Sequence, residues 1–261
     1  MKDILTKILI LLPFFFSSPA QALSVKHNFT SFIGMFNTSV TEFTYEINAK
    51  KYKIDTKIDS QGMFDTLYPF SARYITSGRT EGEAFVTESY KYTTHSRFSK
   101  RSKELLYDGN GIAYKSISTK NKRRKIKDIP PHDDTQGTVD LQTAVAALAK
   151  HYAKTKNCNL KVKVFDGKRR FDMIFKNVNV EKIEANEYSP YHGEALKCLM
   201  YIENKEDKGD DLLFEMNEEN PLLFWLMEDN QTKAAFVAKI KLENTPFGEM
   251  NVYTTKIEVK K

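Results

Sequence analysis

The sequence predicts an all-β protein, mainly antiparallel, whose single curved sheet forms a spiral or half-barrel with one α-helix packed in the concavity. Three observations favour this fold. Apolar and polar residues alternate with a period of two through most of the chain, hairpin turn signals recur between the alternating segments, and one segment alone has helical spacing. We expect about twelve strands, because each turn signal separates two alternating segments.

The first 22 residues have the pattern of an export signal. Lys2 and Lys7 precede the apolar run Ile8–Phe16, and Ala20 and Ala22 stand where signal peptidase requires small residues. A membrane anchor is the alternative, but nine apolar residues span about half of a bilayer core, which needs ~20 helical residues. We therefore expect cleavage after Ala22, a single β-domain over residues 23–261, and a location in the periplasm of a Gram-negative cell.

Hairpins are predicted wherever two alternating segments flank a short turn. Phe43–Ile47 and Tyr52–Ile58 alternate in this way, and Asn48–Lys50 is short enough to join them. Asp-Gly and related turns supply the positive φ values that tight hairpins need. Such turns separate three further pairs: Glu104–Tyr107 from Ile112–Ser116, Leu160–Phe165 from Arg169–Phe175, and Leu222–Met227 from Ala234–Leu242.

The segment Asp140–Lys154 is the predicted helix. Its apolar residues recur at helical spacing, at Leu141, Ala144, Val145, Leu148 and Tyr152. Asp140 or Thr138 can cap the N-terminus, and the lysines near the other end suit the helix dipole. A lone amphipathic helix among strands is expected to pack inside the curve of the sheet. The 18 Phe and 13 Tyr then either fill the core around it or line an apolar cavity for acyl chains.

The segment Lys120–Pro131 is predicted to be a solvated loop, because Pro130 and Pro131 disfavour the interiors of helices and sheets. Its first eight residues hold six cations: Lys120, Lys122, Arg123, Arg124, Lys125 and Lys127. This basic run is either a plain loop in a lysine-rich chain or a contact for lipid phosphates or anionic glycans, each cation contributing about 1 kcal/mol near an anionic surface. The formal net charge of +6 suits peripheral membrane contact. Nucleic acid is not an expected partner in the periplasm.

The chain lacks the motifs of common enzymes. G-x-S-x-G, H-E-x-x-H, C-x-x-C and phosphate-binding glycine loops are all absent from the sequence. His132-Asp133-Asp134 would suit a hard cation, but a plain loop is the simpler interpretation. We expect a non-enzymatic protein with no catalytic residue, metal or cofactor, and keep an uncharacterised envelope enzyme as a third option.

Cys158 and Cys198 are the two cysteines of the chain. In an oxidising compartment an even pair is a candidate disulfide, and two free buried thiols are the alternative.

The segment Cys158–Asp172, CNLKVKVFDGKRRFD, resembles the core motif of an exported Gram-negative family known as domain of unknown function 3108. Asp140–Leu148, Gly193–Cys198 and Thr245–Gly248 are similar to further motifs of that family, in the same order. One departure is Phe36-Asn37, where the family usually has an early Trp-Gly-Gly turn. The resemblance covers essentially the whole mature chain and implies that Cys158 pairs with Cys198.

What the resemblance implies about activity is limited, since the family has none assigned. Its organisation is similar to exported β-spiral envelope-integrity proteins and, more distantly, to half-barrel lipoprotein carriers. We therefore expect a periplasmic binding or scaffold protein that supports the cell envelope through an envelope protein, lipid or anionic glycan. The alternative is a carrier whose half-barrel cavity shields an apolar ligand, such as a lipid or a lipoprotein acyl chain.

Arg169 and Arg170 are the remaining candidate ligand contacts, together with Lys122, Arg123, Arg124 and Lys125 of the basic run. Arg169 is expected on the same strand face as Phe171, towards the core, where an unpaired guanidinium is costly. We expect a carboxylate or backbone carbonyls near the helix terminus to hold it, a structural role. The alternative is that either arginine binds an anionic ligand group at the mouth of the concavity.

Overall fold

A computed structural model describes residues 23–82, 84–130, 136–167, 169–204, 216–245 and 248–260. The predicted export signal and His132-Asp133-Asp134 lie outside these residues. Within them, fourteen strands form one antiparallel curved sheet that does not close on itself. The predicted fold class is confirmed, with two strands more than expected.

The elements follow one another as a long meander with two helices. Their bounds are β1 (Leu23–Ile33), β2 (Phe36–Ile47), β3 (Lys51–Ser60), α1 (Gly62–Leu67), β4 (Phe70–Glu81), β5 (Ala84–Ser96), β6 (Ser99–Tyr107), β7 (Ala113–Lys120), β8 (Arg123–Asp128), α2 (Leu141–Thr155), β9 (Leu160–Phe165), β10 (Arg170–Ile183), β11 (Gly193–Asn204), β12 (Leu222–Glu228), β13 (Ala235–Thr245) and β14 (Gly248–Lys260).

The spatial order of the strands is β8-β7-β6-β5-β4-β3-β2-β1-β14-β13-β12-β11-β10-β9. The first and last strands are therefore neighbours in the middle of the sheet, where β1 lies between β2 and β14. The two edges, β8 and β9, are consecutive strands in the chain, and α2 connects them. The helix contacts β5 on one half of the sheet and β9 and β13 on the other, which places it inside the curve.

All four predicted hairpins are present. In the first, Ile47 pairs with Tyr52, and the Asn48 carboxamide oxygen accepts from the backbone N–H groups of Lys50 and Lys51. This side chain replaces backbone partners in the turn, which is a common use of Asn at such positions. The other three are β6–β7, β9–β10 and β12–β13.

The basic run is not the predicted loop. Arg123, Arg124 and Lys125 belong to the edge strand β8, which pairs with β7, and Lys122 lies in the turn between them. Asn121 and Lys122 both have positive φ, 46° and 72°, as a two-residue type I′ hairpin turn requires. The prediction missed this hairpin because Asn-Lys is a weaker turn signal than Asn-Gly, and the charges hid the alternation around Ile126.

Helix α2 begins after Asp140, as predicted, and is buried on more than one side. Ala144, Leu148 and Tyr152 pack into the main core with Phe171, Phe175 and Phe224 of the sheet. Val145 is 41% exposed and is not packed into this core, although it faces the inside of the sheet. Gln142, Thr143 and Ala146 are buried instead, since the sheet also wraps the second side of the helix. Among the described residues, no helix is long and apolar enough to cross a membrane.

Cys158 and Cys198 form a disulfide, with their Cα atoms 6.3 Å apart and both side chains fully buried. The bond joins the segment after α2 to β11, and both cysteines belong to the main hydrophobic core. The pairing implied by the resemblance is confirmed, and the alternative of two free thiols is excluded in this structure.

Removing the disulfide should lower the free energy of unfolding by about 4 kcal/mol, because it closes a loop of 40 residues in the unfolded chain. The change is the double replacement Cys158→Ala and Cys198→Ala, which leaves no thiol to oxidise elsewhere. Chemical denaturation of wild type with and without a reducing agent gives the comparison. A double variant as stable as the oxidised wild type would show that the unfolded chain is constrained by other means.

Candidate functional site

An apolar pocket of about 300 Å³ lies between α2 and the central strands. Strand β1 contributes Leu23, Val25 and His27, and β2 contributes Phe43, Tyr45 and Ile47. Each set has a spacing of two residues, so its side chains point to the same face of the sheet. The other side is formed by one face of the helix and by residues around the start of β13: Val145, Ala146, Leu148, Ala149, Lys150, Ala153, Leu226, Ala234, Ala235, Phe236 and Val237.

His27 is a buried polar residue in the wall of this pocket. Its Nε2 lies 2.7 Å from the Thr254 hydroxyl, and its ring packs on Phe29 with centroids 3.9 Å apart. Burial lowers the pKa of His27 to about 3, so the imidazole is neutral at pH 7. The histidine therefore adds a satisfied, uncharged polar group to an apolar wall.

Lys150 is the single residue with a permanent charge among the described residues that line the pocket. Its ammonium donates a hydrogen bond of 3.0 Å to the Gly82 carbonyl and lies 5.3 Å from the Phe85 ring centroid. This hydrogen bond is exposed to solvent. Lys150 thus places a cation at the edge of the pocket while its aliphatic stem covers apolar surface.

A polar network holds the N-terminus of α2 against the sheet. The fully buried Asp140 carboxylate accepts from the backbone N–H groups of Gln142 and Thr143, at 3.0 and 3.2 Å. Three hydroxyls also donate to it: Thr143 at 2.6 Å, Thr76 at 2.8 Å and Thr87 at 3.0 Å. Because these five partners are internal to the protein, this cluster positions the helix, and with it the pocket wall, rather than meeting a ligand.

The predicted ligand contacts lie elsewhere. Arg169 is almost buried, and its Nε and Nη2 donate to Asp166 Oδ2 at 2.9 and 2.8 Å. The carboxylate expected for Arg169 is therefore present, but in its own β9–β10 turn rather than near the helix terminus. Arg170 starts β10 and lies 5.3 Å above the Phe165 ring. Neither arginine lines the apolar pocket, and neither do Lys122, Arg123, Arg124 and Lys125.

A second, more polar groove of about 730 Å³ opens next to the pocket and shares Leu226 and Phe236 with it. It runs between the loop before β11 and the β12–β13 turn. Its walls mix aromatic and charged residues, among them Tyr191, Glu194 and Asp229. Sequence reasoning gave an apolar cavity beside the helix as one alternative, but it named none of the residues that line the pocket and missed the polar groove. The signal for the pocket was the alternation Leu23, Val25, His27, which directs a histidine to an apolar face.

The fold and these concavities define a curved-sheet β-protein with an apolar pocket beside helix α2. Residues 24–255 match the model of a family described as "Protein of unknown function (DUF3108)", and the chain belongs to that family. This confirms the resemblance found in the sequence. No curated protein has a matching sequence.

Two solved structures are similar to different degrees. One is the "Beta-barrel-like Protein of Domain of Unknown Function DUF1849 from Brucella abortus", with 9% identity and a TM-score of 0.51, covering 93% of this chain and 99% of the other. At this identity the likeness concerns the fold alone. The other, "MucB in complex with MucA(peri)", has 10% identity and a TM-score of 0.14, covering 91% of this chain and 89% of the other, and nothing is inferred from it.

Proposed function

We propose that this protein is a non-enzymatic binding protein of the cell envelope that shields an apolar ligand, of the size of one acyl chain, in the pocket beside α2. The observation that supports the proposal is the pocket itself, because a helix that simply filled the concavity would leave none. Its volume lies at the lower end of the range for ligand sites, and its lining is almost entirely apolar. Each buried methylene of an alkyl chain would contribute about 0.8 kcal/mol.

The proposed compartment is the periplasm. The N-terminal pattern of residues 1–22 and the buried Cys158–Cys198 disulfide support it, because disulfides persist in oxidising compartments. In such a place an exposed acyl chain would need a protein to keep it from water. Native mass spectrometry of the protein purified from periplasm should show a co-purifying lipid.

The sharper test fills the pocket. Ala149→Phe adds a phenyl group on the helix face that lines it, so the affinity for a fluorescent fatty-acid probe should fall tenfold or more. Ala185→Phe is the matched control, because Ala185 is exposed and lines neither concavity. Wild type that binds no apolar probe, or an Ala149→Phe variant that binds like wild type, would exclude the carrier function.

A scaffold that binds an envelope protein is the second candidate, and the groove beside the pocket favours it. A mixed polar and apolar groove of about 730 Å³ suits a peptide segment better than an acyl chain. Tyr191 is held there by a 2.8 Å hydrogen bond from the Ile257 N–H to its hydroxyl. If the scaffold candidate is right, Glu194→Lys should release a partner that cross-links to wild type in the envelope, while Ala149→Phe should not.

A further inference from the structure

One rim of the sheet carries an unusual set of exposed apolar side chains. Because the strands are antiparallel, the β1–β2 turn, the β3–β4 connection, the β5–β6 turn and the β7–β8 turn all lie at the same end of their strands. The last paired residues confirm this placement: Ile33 with Phe36, Ser96 with Ser99, and Lys120 with Arg123. The opposite end of these strands holds the other turns.

Seven of the twelve large apolar residues that are exposed in the described structure lie on this rim: Met35, Phe36, Met63, Leu67, Tyr68, Phe70 and Phe98. Phe98 and Met35, each at the tip of a turn, are 85% and 81% exposed. Turn tips are normally polar, and scattered single exposures need no explanation, but a group at one end of the molecule marks an interaction site.

Helix α1 adds to the same feature. It has no buried residue, so its apolar side chains Met63 and Leu67, one helical turn apart, face solvent together. The short helix is fixed from below by the Ser60 hydroxyl, which donates to Asp65 at 2.6 Å and accepts from the Phe70 N–H at 2.9 Å. The structure thus holds this apolar group outward rather than letting it fold back on the sheet.

The rim is also basic. Six cations flank the turns: Arg97, Lys100, Arg101, Lys120, Lys122 and Arg123. None of the salt bridges found among the described residues includes any of them. Half of these cations come from β5–β6, so the basic run of the sequence is only part of the patch.

We infer that this rim docks on an anionic membrane surface, with its apolar tips at the level of the headgroups and its cations on lipid phosphates. The choice of lipid over protein follows from the arrangement. The apolar side chains come from three separate connections, two from β1–β2, four from β3–β4 and one from β5–β6, so they are spread along one end of the sheet beside the cations. Exposed apolar side chains next to lysine and arginine suit a membrane surface, where the acyl chains are apolar and the headgroups carry negative charge.

The test is co-sedimentation of the purified protein with vesicles that contain anionic phospholipid, with zwitterionic vesicles for comparison. Binding should be detectable on the anionic vesicles and should weaken in salt. Replacing Arg97 and Lys122 together by glutamine should lower the partition coefficient about thirtyfold, since each cation near such a surface contributes about fivefold. Phe98→Ser should lower it about tenfold.

Val178→Ser is the matched control, because Val178 is 45% exposed, lies on β10 away from the rim turns and lines neither concavity. It should bind vesicles like wild type, and all variants should keep the thermal midpoint, since none of the changed side chains is buried. Absence of binding to anionic vesicles, or binding that the rim variants leave unchanged, would overturn the inference. Association of protein copies that Phe98→Ser abolishes, without vesicle binding, would assign the rim to a second copy of this chain instead.

Discussion

Replacing Asp140 by alanine is expected to lower the free energy of unfolding by about 5 kcal/mol or more. The carboxylate accepts from two backbone N–H groups and three threonine hydroxyls, all fully or largely buried. Each buried donor left without an acceptor costs about 1–3 kcal/mol, and loss of the helix cap alone costs about 1 kcal/mol. Urea denaturation followed by circular dichroism measures the change.

Asp140→Asn is the control, because its amide oxygen still accepts at the cap while the charge and one acceptor are lost. It should be destabilised less than Asp140→Ala. Burial raises the pKa of Asp140, so the carboxyl group binds a proton more readily in the folded than in the unfolded state. Falling pH should therefore stabilise wild type through this group but not Asp140→Asn, so the difference between the two should widen. Equal stability of all three proteins at pH 7 would contradict the structural role of this network.

This network shows how far the sequence could lead. The position of α2 follows from local spacing and is correct, and Asp140, one of the two predicted capping residues, is the N-cap. The partners Thr76 and Thr87 lie 64 and 53 residues away, on β4 and β5, and nothing in their local sequence relates them to the helix. Local patterns specify the elements, whereas contacts between distant elements depend on the register and curvature of the whole sheet.

Acidification should destabilise the protein through His27. The pKa of this histidine is lowered by burial from its ordinary 6.5 to about 3, so between these values the unfolded state binds a proton that the folded state does not. The stability due to neutral His27 is thus complete above pH 6.5 and is lost as the pH falls towards 3, at up to about 1.4 kcal/mol per pH unit. Over the full window the loss is roughly 5 kcal/mol.

The measurement is the free energy of unfolding between pH 7 and pH 4.5, above the range in which most carboxylates titrate. The quantity to compare between wild type and His27→Gln is the slope of the free energy of unfolding against pH. Asp140 contributes to this slope with a sign opposite to that of His27, but it does so equally in both proteins. His27→Gln should flatten the slope. An undiminished slope in His27→Gln would show that another group carries the pH dependence.

The candidate sites were harder to predict than the fold, for a physical reason. The pocket combines residues from β1, β2, α2, β12 and β13, which the meander brings together from both ends of the chain. The rim combines turns that the sequence separates by about thirty residues each and that only the antiparallel order aligns. The cationic run near residue 122 indicated a charged surface. It did not show that these residues form strand β8, or which turns lie beside them.

The pairing of β1 with β14 has a consequence for biosynthesis. His27 and Thr254 are hydrogen-bonded partners 227 residues apart, so at ~5–20 residues per second the ribosome makes the second roughly 10–45 s after the first. During this interval β2–β8 can pair as successive local hairpins, while the edge of β1 that pairs with β14 has no partner. The final strand therefore joins the two halves of the sheet, which cannot pair with each other until β14 has been made.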